Sequence, residues 1–353
     1  MKAAVYFGPH DIRCIDIPDA RLTVPHGILV EVKATSICGS DLHLYRGALD
    51  GIMERGISQT GHELVGHVIE AGPEVSRFRR GDRVTMAYSC SCGACHMCNV
   101  GQTAHCETTK KAVYGFGTAF GNLNGTHAEA MVLPHADAHA LRLPDSVSDR
   151  AAVTLSCNLP TALIANRLAD IQPGETVALI GAGPTGILTL DLALQRGAAC
   201  VAVLDQIPHR LEHLRARACT AINIDMTGWM ETALALTKGR GFDKVIEMVG
   251  FPESLQTALD LVRPGGTVAA LGVFCDSTFN LDLANVFLKD ITLHMNGFAN
   301  VQPVMFEALR LIETGVIDPA PLFSHEFRLE HVDRAFDVFH QKRDGAQKML
   351  LVP

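Results

Sequence analysis

The densest group of reactive side chains lies in residues 90–106, CSCGACHMCNVGQTAHC, which hold five of the eleven cysteines in the chain. Four of them follow the spacing C-x2-C-x2-C-x7-C: Cys92, Cys95, Cys98 and Cys106. Two-residue gaps let successive thiolates surround one ion, and four thiolates complete a tetrahedral zinc site. Because such a site leaves no position open for water or substrate, the spacing predicts a structural zinc.

Three nearby residues keep other ligand sets open. Cys90 is a fifth thiol that breaks the spacing, and His96 and His105 are possible but poorer substitutes. Reduced cysteines without metal are the remaining alternative, which the spacing disfavours.

A second set of possible metal ligands is spread along the chain. A catalytic zinc needs three protein ligands and one open position. Candidates are Cys38, Ser40, Asp41 and His43 in ICGSDLH, His62, Glu63 and His67 in TGHELVGH, and Cys157 in TLSCNLPTAL. A single Cys or His is usually a buried structural residue, and spacing alone does not unite residues 38, 62 and 157.

A glycine-rich segment indicates a dinucleotide site. VALIGAGPTG places the pattern GxGxxG between an apolar strand and a helix, with Gly181, Gly183, Pro184, Thr185 and Gly186. Glycines there allow the backbone to approach a pyrophosphate at the helix N-terminus. The next strand, CVAVLD, ends in Asp205, whose carboxylate can accept hydrogen bonds from the ribose hydroxyls and repel a 2′-phosphate. The pattern predicts NAD binding; the adjacent His209 and Arg210 could weaken the exclusion of NADP.

Hydrophobic patterning divides the chain into two kinds of structure. Up to about residue 140, short alternating strands such as ILVEVKA (28–34) are separated by glycine-rich turns. From about residue 155, near-continuous apolar strands alternate with helical segments, which indicates a parallel sheet covered on both faces. After about residue 296 a helix, VMFEALRLIETG, and short elements follow.

Composition bears on the binding partners and the cellular compartment of the protein. The 353 residues carry 38 acidic and 30 basic side chains, for a net charge of −8, which disfavours a nucleic-acid partner. No apolar stretch is long and uninterrupted enough to predict a membrane span. An odd number of cysteines without an export signal predicts a reducing cytoplasm.

Taken together, these motifs resemble the zinc-dependent medium-chain alcohol dehydrogenase family, and the resemblance covers essentially the whole chain. Its order is Cys38-Gly39-Ser40-Asp41 with His43, Gly61-His62-Glu63, the four-cysteine cluster, and Gly181–Gly186 with Asp205. The resemblance implies an α/β protein with two domains. A GroES-like, β-rich catalytic domain would span 1–155 and 296–353, a Rossmann NAD-binding domain would span 156–295, and the active site would lie in the cleft between them.

The same resemblance implies roles for individual residues. Cys38, His62 and Cys157 would bind a catalytic zinc, Asp41 would orient His62, and Glu63 would lie near the metal. Ser40 and His43 would relay the proton of the alcohol to a solvent-facing imidazole. Contacts to the cofactor would come from Thr161, Leu271 and Val273, in addition to the glycine-rich segment and Asp205. Arg210 is a further candidate from its position close to Asp205.

The implied activity is the interconversion of a primary or secondary alcohol with an aldehyde or ketone, using NAD and two zinc ions per chain. Polyol and threonine dehydrogenases of the family generally have Glu where Cys157 stands, so Cys157 favours simple alcohols. A polyol, threonine or formaldehyde dehydrogenase is the alternative. A non-enzymatic binding protein is disfavoured because every metal ligand is present.

Two further features bear on the substrate pocket and on assembly. The segment between Cys106 and YGFG is short, as in tetrameric bacterial members of the family, so a homotetramer is favoured over a dimer. Aromatic residues make up only 6% of the chain, which does not indicate a large stacked aromatic pocket. Tyr45, Phe116 and Phe120 could line a pocket, although core packing is the expected role of each.

Overall fold

The computed structural model describes residues 1–353 and contains fifteen strands. In chain order they are β1 (Lys2–Gly8), β2 (Asp11–Asp16), β3 (Ile28–Ile37), β4 (Leu64–Ala71), β5 (Arg83–Met86), β6 (Ala130–Leu133), β7 (Ala140–Arg142), β8 (Thr176–Ile180), β9 (Cys200–Asp205), β10 (Thr220–Asn223), β11 (Phe242–Glu247), β12 (Val262–Ala270), β13 (Thr292–Met295), β14 (His325–Arg328) and β15 (Met349–Val352).

Twelve α-helices connect these strands, and most are short. They are α1 (Asp41–Tyr45), α2 (His96–Asn99), α3 (Ala136–His139), α4 (Asp149–Val153), α5 (Asn158–Ala169), α6 (Pro184–Gln195), α7 (Pro208–Glu212), α8 (Trp229–Ala235), α9 (Pro252–Leu261), α10 (Leu283–Leu288), α11 (Met305–Glu313) and α12 (Val332–Gln341). None of them has the length and apolar character needed to cross a membrane.

The first compact unit comprises residues 1–160 and 300–353 and is built on a seven-stranded, mainly antiparallel sheet. The strand order is β14-β15-β3-β4-β5-β7, with β6 also pairing with β3. β15 pairs antiparallel with the end of β3, with Met349 opposite Ile37. This pairing places the residue before β15 beside the segment that follows β3.

The second compact unit comprises residues 161–299 and contains a six-stranded parallel sheet. Its order is β10-β9-β8-β11-β12-β13, so the chain reverses direction across the sheet between β8 and β11. This is the doubly wound order in which ligands bind at the carboxyl ends of the strands, at the reversal. The strands β8, β9 and β11 are largely buried and apolar, as the near-continuous hydrophobic runs predicted. The edge strand β13 is largely exposed.

The structure divides after residues 160 and 299, whereas the sequence pattern placed the divisions after 155 and 295. The physical reason for the first difference is the turn at 154–156, which packs with β5 and α11. The Ser156 hydroxyl accepts a hydrogen bond of 3.1 Å from the Leu64 amide. Cys157 is therefore held in the first unit.

Candidate active site

Four side chains that can bind a metal meet inside the first unit. The donor atoms of Cys38, His62, Glu63 and Cys157 all lie within 4.8 Å of one another. Cys38 follows β3, His62 and Glu63 precede β4, and Cys157 follows the turn at 154–156. Three segments that are far apart in sequence thus meet at one point, which spacing alone did not predict.

A glycine and two hydroxyl groups fix the segment that carries His62 and Glu63. Gly61 has a φ of +94°, and a Cβ there would lie 2.4 Å from the ring of His127, so only glycine fits. The Thr35 hydroxyl donates to the Glu63 carbonyl at 2.6 Å. The Thr126 hydroxyl accepts from the Glu63 amide at 3.2 Å.

Asp41, which the resemblance expects to orient His62, lies beside that ring. Its Oδ1 is 3.2 Å from Nδ1 of His62, and its Oδ2 accepts a hydrogen bond of 2.8 Å from the Cys38 amide. Burial alone would lower the pKa of His62, but the charge of Asp41 raises it well above its ordinary value. Asp41 therefore holds both a histidine and a cysteine of the group in position.

A buried lysine beside Glu63 is a residue that the sequence analysis missed. Lys348 and Glu63 are both 0% exposed, and Lys348 Nζ lies 2.7 Å from Glu63 Oε2. Ser36 donates a hydrogen bond to the same oxygen. Burial raises the pKa of Glu63 to about 7, against the opposing effect of the Lys348 charge. The other carboxylate oxygen, Oε1, is buried and has no hydrogen-bond partner.

The two cysteines of the group interact directly. A hydrogen bond between the thiols lowers the pKa of Cys38 well below its ordinary value, with help from His62, and raises that of Cys157. The Asn158 amide donates to Cys38 Sγ at 3.7 Å. Two sulfurs and an imidazole, with a spare carboxylate oxygen on Glu63, form a donor set that fits zinc.

Aromatic rings surround His62. Phe116 lies edge-on at 5.6 Å between ring centroids, and Tyr88 lies edge-on at 6.2 Å. Burial, and then the neighbouring Cys157, raise the pKa of Tyr88 above its ordinary range. Phe120 packs on Phe116 at 6.2 Å, whereas Tyr45 stacks on a ring of α12. Of the three aromatic candidates, Phe116 packs on a ring of the metal-ligand group, and Tyr88 is a further ring there that the sequence analysis missed.

His43 lies on α1, and Ser40 immediately precedes the helix, next to Asp41. Ser40 occupies the N-cap position of α1, and the His43 amide donates to the Ser40 carbonyl at 3.1 Å. His43 is only 6% exposed, so the expectation of a solvent-facing imidazole was wrong. The reason is that α1 packs against α12, which covers this side of the short helix.

The four-cysteine cluster forms a separate group of donors on the loop between β5 and β6. The sulfurs of Cys92, Cys95, Cys98 and Cys106 lie within 4.8 Å of one another. The Cys95 and Cys106 sulfurs are 3.7 Å apart. A tetrahedral site with zinc–sulfur bonds of about 2.3 Å requires sulfurs about 3.8 Å apart. The cluster therefore fits a zinc ion with all four positions filled by sulfur.

The substitute ligands do not join this cluster. Cys90 points away, and its thiol donates to the Pro134 carbonyl at 3.6 Å. Burial raises the pKa of Cys90 to about 12, so it stays protonated. His96 and His105 lie outside the group of four donors.

The glycine-rich segment follows β8 at the reversal of the parallel sheet. Gly181 has a φ of +103°, and a Cβ on Gly186 would lie 2.0 Å from the Gly181 carbonyl oxygen. Gly183 is the N-cap of α6 and supplies no side-chain cap, and Pro184 begins the helix. Thr185 follows on the first turn. This close turn before an uncapped helix end fits a pyrophosphate.

Asp205 ends β9 beside this turn. Its two oxygens accept hydrogen bonds from the Ala182 amide at 2.8 Å and the Ile207 amide at 2.9 Å. Arg210 Nη1 is 3.9 Å from Asp205 Oδ2. The carboxylate is thus fixed next to the glycine-rich turn, and a cation lies beside it.

The other expected cofactor residues lie in the same unit. Leu271 and Val273 follow β12, at the carboxyl edge of the sheet, and the Leu271 amide donates to the Glu247 carbonyl at 2.9 Å. Thr161 is partly exposed on α5.

Sequence comparison assigns the family. The family described as "Alcohol dehydrogenase GroES-like domain" matches residues 24–145, and that described as "Zinc-binding dehydrogenase" matches residues 184–314. A "probable zinc-binding alcohol dehydrogenase" of Mycobacterium tuberculosis is 35% identical over 95% of this chain and 84% of its own length. The chain is a zinc-dependent medium-chain dehydrogenase.

Solved structures agree with the assignment of this chain to the dehydrogenase family. An alcohol dehydrogenase from Thermus superposes with a TM-score of 0.92 at 35% identity, covering 100% of this chain and 99% of that one. The α/β fold with a GroES-like part and a Rossmann part, and the prediction of an alcohol oxidoreductase, are confirmed. An L-threonine 3-dehydrogenase of Shewanella baltica is 30% identical to this chain, over 90% of each chain.

Two less similar solved structures hold nicotinamide cofactors. An alcohol dehydrogenase from Escherichia coli, 26% identical with a TM-score of 0.85, is complexed with NADH. A zinc-binding dehydrogenase from Sinorhizobium meliloti, 27% identical with a TM-score of 0.82, is bound to NADP. Each pair of chains is covered over 99% or more of its length.

We expect Lys348→Met to destabilise the dehydrogenase by about 3–5 kcal/mol, because it leaves the buried Glu63 carboxylate without its cation. The double variant Lys348→Met/Glu63→Gln should recover part of this loss. Urea unfolding of the zinc-loaded protein measures the free energies of unfolding of the unaltered protein, of Lys348→Met, of Glu63→Gln and of the double variant. If the two single effects simply add in the double variant, the ion pair contributes no coupling and the interpretation is wrong.

Proposed function

We propose that the protein is a zinc- and NAD-dependent dehydrogenase that interconverts a primary or secondary alcohol with the aldehyde or ketone. The observation that carries the proposal is the meeting of Cys38, His62 and Cys157, with Glu63, in one group, of which only Cys157 is not fully buried. A second metal-ligand group and a dinucleotide-binding turn in the same chain support it.

Cys38, His62 and Cys157 would hold the catalytic zinc, and the four-cysteine cluster would hold the structural zinc. Three protein donors leave one position open for the substrate oxygen, whereas four thiolates leave none. Asp41, 3.2 Å from Nδ1 of His62, would orient the ring so that the other ring nitrogen faces the metal. Glu63 would provide a nearby oxygen, Oε1, that no other protein group occupies.

When bound, zinc supplies a Lewis acid for the alcohol oxygen, and NAD supplies the acceptor for the hydride. Ser40 and His43 would take the hydroxyl proton and pass it toward solvent. Because His43 is nearly buried, its release of the proton would need a small local opening or a water molecule at its exposed edge. Tyr88 and Phe116 would exclude bulk water from the metal side of the site.

The cofactor would be bound by the second unit. Gly181, Gly183, Pro184, Thr185 and Gly186 would hold the pyrophosphate, and Asp205 would accept the adenosine ribose hydroxyls. Arg210 would lie against the same ribose, and Thr161, Leu271 and Val273 would contact the nicotinamide. A fixed carboxylate next to the turn supports NAD over NADP, and the two cofactor-bound relatives support a nicotinamide cofactor in general.

The character of the metal group supports a simple alcohol as substrate. Two thiolates, an imidazole and Zn2+ make a formally neutral site, and the rings of Tyr88 and Phe116 make its surroundings apolar. A polyol, threonine or formaldehyde dehydrogenase is the alternative, and the similarity to a threonine dehydrogenase favours keeping it. None of the eleven cysteines forms a disulfide, which supports a reducing, cytoplasmic location.

The activity is tested by NADH formation from purified protein with primary alcohols, secondary alcohols, polyols, threonine and formaldehyde, each with NAD and NADP. We expect simple alcohols and NAD to give the highest kcat/KM, and a chelator to abolish turnover. Preference for polyols or threonine would contradict the substrate class alone. Failure of a zinc-loaded protein to oxidise any of them would contradict the proposed function.

The two metal groups should respond differently to loss of one thiol. Cys38→Ser should lose one zinc and all turnover while NADH binding is kept. Cys95→Ser should lose the other zinc and lower Tm by about 5 °C. We expect it to reduce the free energy of unfolding by ~2 kcal/mol, and each kcal/mol lowers the Tm of a domain of this size by a few degrees. Zinc analysis and calorimetry measure both. Loss of turnover in Cys95→Ser at unchanged Tm and assembly would contradict a structural role.

We also propose that the protein is a homo-oligomer, a tetramer in preference to a dimer, with β13 in an interface. β13 lies at one edge of the parallel sheet. Large apolar side chains on β13 and the preceding α10 are exposed, including Phe287 at 79% and Met295 at 55%. An exposed strand edge with an apolar surface fits pairing with a second copy around a twofold axis.

Met295→Glu should halve the molar mass measured by light scattering on a sizing column, because it places a charge in this apolar surface. Met226→Glu is the matched control, since Met226 is 63% exposed and follows β10 at the opposite edge of the same sheet. Equal masses for both variants and the unaltered protein would contradict the placement of the interface at β13.

A further inference from the structure

Glu247 is a buried carboxylate that none of the roles above uses. It is the last residue of β11 and is 0% exposed. Its Oε1 accepts hydrogen bonds from the Val249 amide at 2.7 Å, the Gly250 amide at 2.8 Å and the Ser254 hydroxyl at 2.8 Å. Three donors on one oxygen tie the side chain to the turn that leads from β11 into α9.

The main chain of Glu247 holds a second segment. Its carbonyl oxygen accepts from the Leu271 amide at 2.9 Å and the Gly272 amide at 3.2 Å. A Cβ on Gly272 would lie 2.1 Å from the Gly250 nitrogen and 2.6 Å from Glu247 Oε2. The turn after β11 and the turn after β12 are therefore packed against each other, with the Glu247 carboxylate between them.

This bracing occurs at the ligand edge of the parallel sheet. β11 and β8 are the two strands on either side of the reversal in strand order. A Cβ on Gly181 would lie 2.9 Å from Cγ2 of Val249, so the turn after β11 borders the glycine-rich turn. Ligands of doubly wound sheets bind at this position, outside the carboxyl ends of the strands.

The charge of Glu247 is not balanced by a cation in its contacts. Burial raises the pKa of Glu247, whereas the Gly250 amide, the Ser254 hydroxyl and the Val249 amide act in the opposite direction. Its second oxygen, Oε2, is buried without a hydrogen-bond partner. A carboxylate kept in so costly a position is better explained by the shape that it imposes on the two turns than by a gain in stability.

We propose that Glu247 is a positioning residue that fixes the backbone at 249–250 and 271–273 to receive the nicotinamide half of the cofactor. The inference rests on the proposed function, which assigns Leu271 and Val273 to that half. The adenosine half is bound at the other side of the reversal, by Asp205 and the glycine-rich turn. Glu247 thus acts chiefly on the nicotinamide end of the dinucleotide.

The test compares two ligands that differ in the nicotinamide group, NADH and ADP-ribose, by calorimetry on the zinc-loaded protein. Glu247→Gln keeps the shape of the side chain but removes the charge that its three donors share. We expect Kd for NADH to rise about tenfold, a loss of about 1.4 kcal/mol, while Kd for ADP-ribose changes less than about twofold.

Asp243→Asn is the matched control, because Asp243 lies at the opposite end of β11. It accepts hydrogen bonds from the Thr176 amide at 2.8 Å and from Arg263 Nε at 2.7 Å. This variant should lower Tm without changing the ratio of the two Kd values. If Glu247→Gln does not fold, Ser254→Ala removes one of the three donors and should show a smaller loss that is again confined to NADH.

Two results overturn the inference. Equal weakening of NADH and ADP-ribose would make Glu247 a structural residue only, and unchanged binding of both would give it no role. Failure of the unaltered protein to bind either ligand would instead overturn the NAD dependence on which the inference rests.

Discussion

The collection of electron-rich donors in a buried site is the constraint on which the first unit depends. Two thiols, a carboxylate and an imidazole lie within 4.8 Å of one another, and all but the half-buried Cys157 are buried. Without compensating charge, these donors would repel one another in their charged forms, and burial would remove the water that hydrates them. Lys348 beside Glu63 is the compensation that the chain itself provides, and a bound zinc ion would complete it. The antiparallel pairing of β15 with β3 is what brings Lys348 to this position.

The second unit is under a different constraint. It depends on glycines, which have no side chain, where the first unit depends on side-chain donors. Its turns must approach a charged ligand closely, so glycines stand where any Cβ would collide with neighbouring backbone, as at Gly186 and Gly272. Buried carboxylates then hold these turns by their amides: Asp205 binds the amide of Ala182, and Glu247 binds those of Val249 and Gly250. The same device, a carboxylate at a strand end that accepts backbone hydrogen bonds, thus recurs on both sides of the reversal in the sheet.

The sequence predicted the features whose physical cause is local. The four-cysteine cluster follows from two-residue gaps, and the glycine-rich turn follows from its place between an apolar strand and a helix. The union of Cys38, His62 and Cys157 came from family resemblance, because no local pattern relates them. Lys348 was missed because its partner lies 285 residues away and no motif marks it. The near-burial of His43 depends on α12, a distant element, so it too was not predictable from α1.

The closure of the first unit by β15 has a consequence for the order of folding. Residues 349–351 pair with residues 35–37, so the sheet that supports the metal site joins segments that are far apart in sequence. The second unit, residues 161–299, lies between these two segments in sequence. All of its strands are therefore synthesised before β14 and β15. During synthesis it can therefore fold while the first unit still lacks two strands and the cation for Glu63. Long-range pairing of this kind is slow to form, so the metal site is expected to be the last part of the molecule to reach its final form.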